Sequence, residues 1–138
     1  MQVNFKGTEP QYMSLGAAGA DLASKHDYTI LPKEQIMIDT GTAVSIPEGY
    51  FGMAVPRSSI CNKKGLQLAN SIGVIDSDFV GSVRLVYRNT SDKEAVILKG
   101  ERIGQIVILP FVKAEFTQVE DLEETVRGEG GFGSTGNK

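Results

Sequence analysis

The chain has 138 residues, 41% of them hydrophobic and 22% charged, and a formal net charge of −3 at neutral pH. This length suits one domain able to bury about two thirds of its unfolded surface, and the slight negative charge excludes the broad basic footprint of a nucleic-acid-binding protein. The single cysteine, Cys61, excludes an internal disulfide, and no apolar run resembles a signal peptide or a bilayer span, so a cytoplasmic protein without a membrane partner is expected.

In chain order, short segments rich in β-branched residues follow one another: VNF, DYTIL, EQIMIDTGTAVSI, YFGMAV, GSVRLVYRN, EAVIL and GQIVILPFV. Turn signals separate them at GTEP, LPKE, PEGY, NTSDKE and LKGE. Within residues 35–46, Ile36, Ile38, Ala43 and Val44 alternate in part with polar neighbours, as on a half-buried strand. No window carries a sustained helical stripe. One short helix is expected, capped by Ser58 or Ser59, running through Cys61 and Lys64 and closed by Gly65. The pattern predicts an all-β antiparallel sandwich or jelly-roll barrel.

Several polar clusters carry chemistry. AGADLAS sets Asp21 among small residues, where it caps a turn or helps hold a hydrated Mg²⁺. AVPRSSI places Arg57, Ser58 and Ser59 directly after a strand; guanidinium and hydroxyl donors suit phosphate oxygens, although alone the pattern reads more simply as a capped helix with a surface arginine. LQLANS ends in Asn70, whose amide offers a donor and an acceptor to a base edge, or simply makes a turn. In SIGVIDSDFVGSV, Asp76 and Asp78 share one face if the chain is extended, and the apolar lead into Asp76 would partly desolvate a carboxylate placed to activate water. An ordinary turn accounts for the same residues. GERIGQIVI carries Arg102 and Gln105 at a strand entry, with nothing unusual structurally. His26 reads as solvated and Cys61 as a small half-buried side chain, and no zinc or serine-hydrolase motif occurs. The tail RGEGGFGSTG, which begins at Arg127, is hard to order unless something binds it.

Taken together and in order, AGADLAS (18–24), PRSSI (56–60), LANSIGVIDSDFVGSV (68–83), GERIGQI (100–106) and RGEGGFGSTG (127–136) resemble the five motifs of the homotrimeric deoxyuridine triphosphate nucleotidohydrolases, the dUTPases. The resemblance implies a distorted jelly-roll barrel with one short helix, assembled as a trimer with composite sites, and hydrolysis of dUTP to dUMP and diphosphate with Mg²⁺. Asp76 would then be the general base, and Arg57, Ser58 and Ser59 would bind phosphate. Asn70 with the backbone of Gly73, Val74 and Ile75 would read uracil. Phe79 would lie on the deoxyribose, with Gln105 and Arg84 lining the site. Arg127, Gly133, Ser134 and Thr135 would grip the γ-phosphate while Phe132 stacks on the base, and Asp21 would meet Mg²⁺ through water. The same resemblance divides the chain into a β-barrel (1–118), whose core ends with a strand at Ala114–Gln118, and an acidic connector with a flexible lid arm (119–138).

Three positions depart from the family pattern: Phe79 replaces the usual tyrosine, Ala20 an aromatic, and Gly104 a common alanine. Two rival readings are a deaminase of dCTP with a related fold and a nucleotide-sensing regulator. The GVIDSDF hairpin and the full tail favour hydrolysis over deamination.

Overall fold

The computed structural model describes residues 1–138. Its strands are β1 (Asn4–Gly7), β2 (Ala20–Ala23), β3 (Tyr28–Ile30), β4 (Gln35–Ser45) and β5 (Tyr50–Pro56), then, after helix α1 (Ser58–Lys64), β6 (Leu66–Leu68), β7 (Gly73–Ile75), β8 (Ser82–Asn89), β9 (Ala95–Ile97) and β10 (Arg102–Pro110). All named pairings are antiparallel. Two four-stranded sheets, β1-β4-β8-β6 and β2-β10-β5-β7, and the β3-β9 ribbon enclose the core. The ladders do not run continuously from one sheet into the next, so the barrel is open. No helix is long and apolar enough to cross a membrane.

The spine is β4 against β8, where buried and exposed residues alternate along both strands as the period of two requires. Midway the register shifts between Asp39 and Ala43, while the alternation continues unbroken and places Thr40 and Thr42 inward with Ile38 and Val44. Both hydroxyls are satisfied there, donating to the Val83 and Thr8 carbonyls at 2.7 Å each. The buried alcohols are therefore compatible with the apolar core around Ile38, Leu66, Leu85 and Ile97.

Three local expectations change. AGADLAS contains a strand, β2, with three consecutive buried residues, Ala20, Asp21 and Leu22. Buried in succession, they show none of the alternation that marks a strand in sequence. Neither Ser58 nor Ser59 caps α1: Arg57 is the N-cap, without a side-chain bond, and the expected closure by Gly65 forms in the left-handed region at φ 63°. No strand forms over Ala114–Gln118. The last one ends at Pro110, and residues 111–120 are all exposed. A strand exists only against a ladder partner, and within one chain this segment has none.

Candidate active site

A cleft of about 560 Å³ opens beside β7 and β8. Among its lining residues are Asn70, Gly73, Val74, Ile75, Asp76, Phe79 and Arg84, all singled out from the sequence, together with Met37, Leu68, Ser82 and Leu85, which were not. Local folding explains the grouping. A tight turn follows β6, with Ser71 N–H donating to the Leu68 carbonyl at 3.0 Å and Ile72 N–H to that of Asn70 at 2.6 Å, and Ser71 takes a positive φ of 62°. This turn sets the Asn70 amide beside Gly73. After β7 a second turn closes with Phe79 N–H donating to the Asp76 carbonyl at 3.1 Å. Ile75 is buried and Asp76, one residue on, is exposed at the cleft. The Phe79 ring rests against Gly81, where an added Cβ would come within 2.8 Å of Cζ. Only glycine lets the ring lie this close to the chain.

The rim is charged. Asp39 accepts hydrogen bonds from Ser82 Oγ at 2.5 Å and from Gly41 N–H at 2.8 Å. The Ser82 bond first, then that of Gly41, and then the nearby Lys25 and Arg84 hold its carboxyl below the ordinary 3.8, against the opposing effect of burial. A lowered folded value favours the charged form, so this stability is present above the ordinary carboxylate range and is lost as pH falls through the folded value. Asp39→Asn should therefore melt lower at pH 7, with the difference closing as acid protonates the native carboxylate. A difference that stays constant through the whole acid range would show that the carboxylate charge contributes nothing.

A second cluster lies on β2, β5 and β10 and shares no residue with the cleft. Gln105 stands opposite both Asp21 and Val55 in the ladders, so all three side chains leave the same face. Asp21 is buried; its Oδ2 accepts a hydrogen bond from Arg102 Nη1 at 3.1 Å and lies 3.3 Å from Arg57 Nε as an ion pair. Arg57 Nη1 also donates to the Arg102 carbonyl at 3.3 Å. A buried carboxylate paired with two guanidiniums is electrically compensated, and it fixes both forks in place. Gly19 makes room for the Gln105 amide, since a Cβ there would come within 2.5 Å of Oε1. Ser58 and Ser59, at the mouth of α1, spend neither hydroxyl on a cap. Arg102 is the residue that the sequence reading left without a role. Its partner Asp21 lies 81 positions away, and the one available hint was an aspartate in a small-residue stretch that needed a cation.

The tail forms a third group, containing Arg127, Phe132, Gly133, Ser134 and Thr135. Its hydrogen bonds stay within residues 125–136, including Arg127 Nε to the Gly130 carbonyl at 2.7 Å and Gly128 N–H to Thr125. Phe132 is fully exposed and takes a left-handed φ of 51°. The sequence-selected residues thus fall into three groups that one chain does not bring together. No three His, Cys, Asp or Glu side chains converge to hold a metal ion.

The architecture defines an all-β antiparallel protein with a cleft beside β7 and β8, and comparison with known proteins narrows the class. The dUTPase family model matches residues 6–136. A deoxyuridine 5'-triphosphate nucleotidohydrolase of Cutibacterium acnes is 45% identical over 92% of this chain and 84% of its own. One from Escherichia phage T5 is 43% identical over 99% of both. Among solved structures, the Staphylococcus bacteriophage 80alpha dUTPase G164S mutant with dUpNHpp superposes with a TM-score of 0.88 at 30% identity, covering 99% of each chain. The dUTPase from Streptococcus mutans gives 0.77 at 30% identity over 81% of this chain and 98% of that one. The chain belongs to the dUTPase family.

Proposed function

We propose that this chain hydrolyses dUTP to dUMP and diphosphate by attack of water on the α-phosphorus, at sites built from several copies of the chain in a homotrimer. The observation that carries the reading is the cleft in which Asn70, the β7 backbone and Phe79 surround a pocket with the Asp76 carboxylate at its lip. Asn70 and the Gly73–Ile75 backbone pair with the uracil edge, where a 5-methyl group would press against β7. Phe79 packs on the deoxyribose, and Asp76 orients the water and takes its proton. Arg57, Ser58, Ser59 and Gln105 hold the triphosphate from the second cluster, with Arg84 at the cleft wall. The tail closes over it, with Arg127, Gly133, Ser134 and Thr135 on the γ-phosphate and Phe132 on the base. Residues 1–118 act as the barrel and residues 119–138 as connector and lid.

The donor set bears on Mg²⁺ in one respect. Lacking a carboxylate cage, and with Asp21 Oδ2 paired with two arginines, the chain would suit an ion carried mainly on the substrate phosphates, with Asp21 the residue that would hold it through water. Such an ion supplies charge neutralisation to the leaving diphosphate.

A panel of dUTP, dTTP, dCTP and UTP with Mg²⁺, following diphosphate and nucleoside monophosphate, tests this reading. Only dUTP should turn over well, the others falling by about a hundredfold or more because they meet a clash or unpaired polar groups. Chelation with EDTA should stop turnover and leave the melting temperature unchanged. Ammonia released from dCTP would replace this reading with deamination, and a large fall in melting temperature on chelation would point to a structural metal.

A further inference from the structure

The bulge that aims the second cluster is held by a residue with no part in the site itself. Tyr87 on β8 is fully buried, and its hydroxyl donates to the Ile103 carbonyl of β10 at 2.5 Å. Ile103 is the extra residue of a β-bulge: pairing of β10 with β2 passes from Arg102 opposite Ala23 directly to Gly104 opposite Leu22. Pairing of β10 with β5 begins only at Gly104, opposite Pro56, which has no N–H. Ile103 is therefore fully buried and has no ladder partner on either side. A carbonyl in that position needs a donor from elsewhere, and the Tyr87 phenol, which burial keeps protonated, is that donor.

The peptide fixed in this way adjoins the groups that matter. Immediately before it, the Arg102 carbonyl receives Arg57 Nη1 and the Arg102 side chain reaches Asp21. Two residues beyond it, Gln105 lies under Gly19. Leu85, on the same face of β8 as Tyr87, packs beside it against the bulge: a Cβ on Gly104 would come within 2.5 Å of Leu85 Cδ1 and 3.7 Å of the Tyr87 hydroxyl. Gly104 is also where this chain departs from the family's usual alanine. We propose that Tyr87 is a positioning residue: its hydrogen bond to Ile103 sets the bulge that orients Arg57 and Gln105 toward the triphosphate. This rests on the dUTP reading above.

The test is Tyr87→Phe in the full-length protein, with two readouts. Amide hydrogen exchange at Gly104 and Gln105 should accelerate, which examines the pin without any ligand. Binding of the non-hydrolysable analogue dUpNHpp should weaken by about five- to tenfold, the scale of one lost hydrogen bond, at unchanged stoichiometry. A purely structural role would reduce the number of competent sites and leave Kd alone. Gly104→Ala, whose Cβ would meet Leu85 Cδ1 at 2.5 Å and the Val55 carbonyl at 3.0 Å, should weaken binding likewise, and adding Leu85→Val should recover the part due to Cδ1. Unchanged exchange in Tyr87→Phe overturns the pin; faster exchange with unchanged Kd overturns the positioning role. A wild-type protein that binds no dUpNHpp overturns the dUTP reading and the positioning role together, a result separable from the exchange measurement.

Discussion

Asp76→Ala should lower kcat for dUTP by about 10²–10⁴, the usual contribution of a positioned general base, while the melting temperature and the Kd for dUpNHpp stay close to wild type. The expectation of an intact fold comes from the local geometry. The turn after β7 is closed by the Asp76 backbone carbonyl, which accepts from Phe79 N–H, and the carboxylate takes no part in it. The side chain is exposed at the cleft, and the packing beneath belongs to Ile75, so its removal leaves no cavity. A variant that folds, binds the analogue and turns over dUTP at nearly the wild-type rate would remove Asp76 from the chemistry.

The second large effect is a recovery of activity. Two inactive chains, one carrying Asp76→Asn and one truncated after Val126, should regain activity when refolded together. The cleft, the arginine cluster and the tail are separate within one chain, and the tail has no hydrogen bond to the body. In the proposed trimer one subunit supplies Arg57 and Gln105, the next Asp76 and the third Phe132. Any trimer mixing the two variants with cyclic symmetry then has one site with both an intact base and an intact lid. Random assembly at equal mixing should give about a quarter of wild-type activity. If base and lid came from the same chain, every site would stay broken, and mixed trimers without recovery would refute the composite arrangement. The roughly 20 residues after position 118 can span tens of ångströms when extended, enough to reach a neighbouring subunit.

Features written into local pattern could be read from the sequence. The alternation of β4 gave its bounds to within a residue, and Gly65 closed α1 as a left-handed cap. Motif residues around Asn70 and Asp76 do gather at one cleft because two tight turns, set by near neighbours, bring them there. What escaped depended on distant partners. Arg102 pairs with an aspartate at the other end of the chain through a bulge that no periodicity announces. β2 is buried at Ala20, Asp21 and Leu22 in succession, so it shows no alternation to mark it as a strand. Ala114–Gln118 has strand-like composition, but strand formation depends on a partner that its own chain does not provide.

That unpartnered stretch has a further effect on a subunit that has not yet met another copy. Phe111, Val112, Phe116, Val119, Leu122 and Val126 all face water, following one another along an uncovered ribbon of chain. Cellular quality control recognises extended apolar chain of this kind, so a newly made chain is exposed to chaperones and proteases, and in the proposed trimer that exposure would last until assembly covers the segment. Substitutions that weaken assembly should consequently appear in cells as scarcity of the protein, with each surviving molecule turning over at its normal rate.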